Sequence, residues 1–131
     1  MANRTADQLK IGQKVLNNKR IDVPCTQIPQ PILQAALDVF NQEERGELLY
    51  SIALYSLTGQ IPPDESKLIK ATMIPVRKSI DQDKANYAYT VAHNAYAGYC
   101  SQLKRLYPNI ATKVFEDWLD DWIDGSLVDL E

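Results

Sequence analysis

The sequence predicts an all-α fold, a compact bundle of about five helices with a buried central helix at 42–57. Three features predict it. Apolar residues recur at helical spacing in one segment after another. Capping residues and stop signals punctuate those segments, above all Asn41, the Gly59, Pro62 and Pro63 stop, and Gly125. No segment sustains the period-two alternation of a half-buried strand.

Residues 5–19 open with Thr5 and Gln8 at capping-box spacing, and Leu9, Val15 and Leu16 form a weak apolar stripe. Gly12 weakens this helix by roughly 1 kcal/mol relative to Ala. The helix is therefore expected to be marginal, ordered by a partner or by the rest of the fold. Pro24, Pro29 and Pro31 make residues 21–31 an extended linker, since each proline fixes its own φ and turns its predecessor away from helix. A short helix follows from about Pro31 to Phe40, with proline at its first position and Ile32, Leu33, Ala36, Leu37 and Phe40 at helical spacing.

Asn41 lies three residues before Glu44 and is the expected N-cap of the next helix. From Gln42 to Leu57 that helix carries two apolar stripes, Leu49–Ile52–Ala53–Ser56 and Tyr50–Leu54–Leu57. Apolar residues nearly all round predict burial on several sides. Gly59 ends it, and Pro62 and Pro63 prevent resumption. The pattern then runs from 66 to 106. Its inner face begins with Leu68, Ile69, Thr72, Met73, Val76 and Ile80 and continues through Ala92, Tyr96, Tyr99 and Leu103. Pro75 inside this run predicts a kink, so the segment is either one bent helix or a helix pair. After Tyr107-Pro108-Asn109 a last helix reaches Asp124 and closes at Gly125, with residues 126–131 as a frayed tail.

The 131 residues fit one domain, 1–131, and a hydrophobic share of 45% supports a core without staples. The net charge of −3 is too small to drive nonspecific nucleic-acid or membrane binding. Its distribution is polar. Arg4, Lys10, Lys14, Lys19 and Arg20 outnumber the acids of residues 1–23, while everything after Lys113 is acidic or neutral. Cys25 and Cys100 make neither a disulfide framework nor a metal spacing. No leader pattern opens the chain and no apolar run approaches membrane-spanning length, so a protein with reduced thiols and no membrane association is expected.

Three constellations are candidates for function. Asp117, Asp120, Asp121 and Asp124 share one face of the last helix, opposite Phe115, Trp118, Leu119 and Trp122. Acids in the final turns oppose the helix dipole, so this face is a docking surface for a basic partner or a solvated face paired with the chain's own lysines. Lys67, Lys70, Arg77, Lys78 and Lys84 fall within an arc of roughly 120° on the proline-containing helix. They form a stripe that tracks phosphates, or again a solvated face, with Asp81 intruding in the same arc. Tyr89, Tyr96 and Tyr99, with Tyr87 nearby, rise from an alanine-rich stretch as an oligomer seam, a base-stacking platform or ordinary core.

Catalytic chemistry finds no support. His93 is the single histidine, which leaves no His-based metal site and no His dyad in one chain. Asp81 and Asp83 point about 160° apart on a helix. Five glycines form no phosphate loop. The expectation is a protein that is not an enzyme, with no catalytic residue, metal or cofactor.

The helix Glu44-Arg45-Gly46-Glu47-Leu48-Leu49, its stop Thr58-Gly59-Gln60-Ile61-Pro62, and the later Ile80-Asp81-Gln82-Asp83-Lys84-Ala85-Asn86-Tyr87 carry a resemblance. Over Glu43–Tyr87 the chain resembles a small uncharacterised helical domain encoded by phages and prophages, often beside replication-initiation genes. Many such relatives end in a basic, Gly-Lys-rich tail where this chain has an acidic aromatic helix. The resemblance implies a non-enzymatic accessory protein in the bacterial host's cytoplasm, binding other macromolecules, in DNA replication. A protein partner is the first expectation. Direct binding to nucleic acid through the basic stripe, and an oligomeric structural or host-countering role, are the alternatives.

Overall fold

The computed structural model describes residues 5–24 and 27–125. They hold five helices and no strand: α1 (Ala6–Asn18), α2 (Gln30–Asp38), α3 (Gln42–Thr58), α4 (Lys67–Leu106) and α5 (Phe115–Asp124). The fold is all-α, as the sequence predicts. The expected tail at 126–131 lies outside the described residues, as does Cys25. The chain forms two compact units, Pro24–Asp83, and Met1–Val23 with Lys84–Glu131.

In the unit Pro24–Asp83, proline opens α2 and a reciprocal cap opens α3. The Asn41 side chain accepts from the Glu44 backbone at 2.8 Å while Glu44 accepts from the Asn41 backbone at 2.8 Å. Gly59 ends α3 in the left-handed conformation at φ 74°, where a side chain would be strained. Arg45 satisfies the end of α2 by donating to the carbonyls of Ala36 and Leu37. The core gathers Phe40, Leu48, Ile69, Met73, Val76 and Ile80, with Ile28, Ile32, Ala36, Ile52 and Tyr55 packed around them.

The expectation of a buried helix at 42–57 is corrected here. α3 buries Leu48 and Ser51 only, while Leu49 is 69%, Tyr50 59% and Leu57 83% exposed. Its apolar residues lie on both sides, so its sequence has no directional preference. The buried centre of the unit comes from α4, whose Ile69, Met73, Val76 and Ile80 are fully covered. α4 itself is one helix running through Pro75. Ala71 and Pro75 are both exposed, so the carbonyl that loses its partner can turn to water, which lowers the cost of the proline.

The second unit contains α1, the part of α4 from Lys84 to Leu106, and α5. Thr5 and Gln8 form the predicted capping box. The helix that looks marginal alone is fixed by Val15, which is buried with Ala88, Ala92, Trp118 and Leu119. Gly12 now has a reason. A Cβ there would lie 1.9 Å from the Ala85 carbonyl oxygen, so glycine lets α1 approach the alanine-rich face of α4. On α5, Trp118 and Leu119 are buried and Phe115 and Trp122 half-buried, matching the predicted apolar face.

Candidate functional site

Lys67, Lys70 and Lys78 are exposed on α4, and Ile74, 68% exposed, shares their arc. Arg77 leaves the predicted stripe. Its Nη2 donates to both carboxylate oxygens of Glu65 at 2.7 Å. The Glu65 side chain is fully buried and that of Arg77 only 16% exposed. Such a pair holds position because each charge is costly without the other. The turn around Pro62 brings Glu65 back over α4, and Glu47 fixes the same turn by accepting from the Ser66 backbone at 2.7 Å. Asp81 accepts from the Tyr55 hydroxyl, with its two oxygens at 2.7 and 2.9 Å. Burial and this bond push the Tyr55 pKa up to about 12. Lys84 belongs to the other unit and is half-buried there. Three cations, rather than five, therefore face solvent together.

The acidic face of α5 divides. Asp120 accepts from Lys14 at 2.6 Å and Asp121 from Lys113. The Asp121 bond pushes the Lys113 pKa up. Asp117 and Asp124 are exposed and make no salt bridge among the described residues. Half of this face is thus paired with the chain's own lysines, and exposed pairs of this kind contribute little stability.

Tyr89, Tyr96 and Tyr99 face inward. Tyr89 packs edge-on to Phe115 at 6.1 Å, and Tyr96 lies 5.3 Å from both Phe115 and Trp118. Tyr99 packs on Trp118 at 6.2 Å. The Tyr96 hydroxyl donates to the Lys113 carbonyl at 2.6 Å, and its pKa is raised by a hydrogen bond with Cys100 and by burial. Trp118 continues the stack to Trp122, which Lys19 covers at 4.4 Å. These tyrosines pack in the chain's own core, as in the ordinary-core reading of the sequence.

His93 is exposed and rests against Tyr89 and Phe115. Cys100 is a free, half-buried thiol. Among the described residues no group of three or more His, Cys, Asp or Glu is arranged to hold a metal ion. Among them, too, no helix is long and apolar enough to cross a membrane. An open depression on α4 is lined by Gly98, Ser101, Gln102 and Arg105.

Two features escaped the sequence. The Glu65–Arg77 pair joins residues twelve apart across a turn, and no helical-wheel argument reaches across a turn. The exposure of the outer face of α3 is the other, because apolar residues on both sides of a helix do not tell which side faces the core.

No curated protein and no solved structure matches the chain. The model of a family of unknown function, DUF6291, matches residues 33–108, which hold most of α2, all of α3 and α4, and the lysine face. The chain belongs to this family of unknown function, DUF6291.

Proposed function

We propose that this chain is a non-enzymatic binding module, a phage- or prophage-type accessory protein that docks on another protein in the bacterial cytoplasm. The observation that carries this reading is the face of α4 formed by Lys67, Lys70, Ile74 and Lys78. It lies inside the family-matched segment. Three cations around an exposed apolar side chain suit an acidic protein surface that also offers an apolar contact. The resemblance over Glu43–Tyr87 supports replication as the setting. Capture from phage-infected cells tests it. Wild-type protein should retain an acidic partner that the triple variant Lys67→Glu, Lys70→Glu, Lys78→Glu loses. Equal capture by both proteins would refute the reading.

The same three lysines favour a second reading, direct binding to nucleic acid. Against it, Arg77 is held by Glu65, and Asp81 sits in the arc a phosphate would approach. Binding through three phosphate contacts should fall steeply with salt, with a log–log slope near −3. No mobility shift at about 50 mM salt would remove this alternative.

A further inference from the structure

The outer face of α3 has a pattern that the chain's own packing does not explain. Gly46, Tyr50, Ala53 and Leu57 follow one another at spacings of four, three and four. At 100° per residue they occupy an arc of roughly 60°. All four are exposed. Their sizes alternate small, large, small, large. Reversed, the order is large, small, large, small. Two such helices laid antiparallel therefore match a large residue with a small one at every pair. Gly46 meets Leu57 of the second copy, and Tyr50 meets its Ala53, with the two-fold axis passing between Tyr50 and Ala53.

Gly46 is the small residue that would receive Leu57. A glycine inside a helix weakens it relative to alanine. At Gly12 the approach of Ala85 explains the glycine, whereas at Gly46, as at Gly98 on α4, nothing lies within 4 Å of a Cβ. A side chain arriving from outside would use that space. The spacing is that of a left-handed helix pair crossing near 20°, and antiparallel pairing sets the two helix dipoles head to tail.

Leu49 flanks the seam on α3, and with Tyr50 and Leu57 it makes three large apolar side chains, each more than half exposed. At roughly 100 Å² apiece they offer about 300 Å² per copy, below the ~800 Å² per partner of a standard interface, so the association is a weak one.

We infer that α3 is the seam of an antiparallel, two-fold homodimer in which Gly46 and Ala53 of each copy receive Leu57 and Tyr50 of the other. A two-fold contact uses the same surface on both copies and closes at two, so it builds no filament. The inference uses a different helix face from the lysines and does not depend on what they bind.

Sedimentation of the full chain from micromolar to near-millimolar concentration tests it. Wild type should pass from monomer to dimer. Leu57→Glu should stay monomeric with unchanged helicity, because Leu57 is 83% exposed. Ala53→Tyr should weaken association by tenfold or more, since it sets two large residues against each other, and adding Tyr50→Ala should restore it. Gly46→Ala should raise the melting temperature of the dilute monomer yet weaken the dimer. A chain that stays monomeric at every concentration would overturn the inference. So would a dimer indifferent to Leu57→Glu and Ala53→Tyr, or one broken by Ala53→Tyr that Tyr50→Ala fails to rescue.

Discussion

The unit built on α1 and α5 and the unit built on α3 handle their apolar and small residues differently. In the first, the core residues and the closest helix approach have internal partners, while Gly98 meets nothing and Ile110, Val114, Asp117 and Asp124 face solvent. Gly12 admits Ala85, the tyrosines stack on Phe115 and Trp118, and Asp120 and Asp121 hold lysines. In the second, Leu49, Tyr50 and Leu57 face water, Gly46 meets nothing, and three lysines surround an exposed isoleucine. An exposed leucine alone needs no explanation. A helix face with three large apolar residues and an unexplained glycine does, and the function is to be sought there.

The largest effect that would break this contrast is at Trp118. It is 1% exposed and central to its unit, so Trp118→Ala should cost about 3–5 kcal/mol in urea unfolding. A cost below about 1 kcal/mol would mean that this unit is not self-sufficient. Glu65→Ala strands a mostly buried guanidinium and should cost about 3 kcal/mol. The exposed lysines nearby should remain unaffected, as native-state labelling of their amines would report.

Two of the three helix glycines, Gly12 and Gly46, sharpen the contrast because they should respond with opposite signs. Gly12→Ala forces α1 off the Ala85 carbonyl and should destabilise the chain by about 1–3 kcal/mol. Gly46→Ala has open space and better helix propensity, so it should stabilise the dilute protein by about 0.5–1 kcal/mol. Thermal melts of the two variants side by side decide it, and equal signs would erase the distinction.

The smallest effect is a pH dependence. Tyr55 titrates near 10 unfolded and about 12 folded, so its contribution is fully present below pH 10 and is lost as pH rises through about 12. Tyr55→Phe should flatten that part of the stability profile, measured as unfolding midpoint against pH. Parallel profiles would contradict the Asp81 bond.

Local signals in the sequence mark four of the helix ends, and their reasons are local. Thr5 with Gln8, Asn41 with Glu44, and Gly59 and Gly125 act within one turn of backbone. α5 was legible down to its inward residues because its apolar and acidic positions separate cleanly into two faces. Long-range facts were not legible. α3 has apolar residues on both sides, so burial on one side says nothing about the other. The fate of Pro75 depends on whether the Ala71 carbonyl can reach water, and that is decided by tertiary packing. Arg77 lies with the lysines on a helical wheel, but the turn at Pro62 delivers Glu65 to it from outside the helix. Of the three candidate faces, the acidic one is half paired with the chain's own lysines and the tyrosines are core, both alternatives the sequence offers, while three lysines of the basic stripe stay exposed.

Hydroxyl-radical footprinting of the full chain at low and high concentration tests the central contrast most directly. Tyr50 and Leu57 should be labelled readily in dilute protein and become protected on concentration, while Trp118 stays protected throughout. Tyr50 and Leu57 as silent as Trp118 in dilute solution would return α3 to the core and contradict the account. Labelling that persists at high concentration would leave its outer face without the second copy.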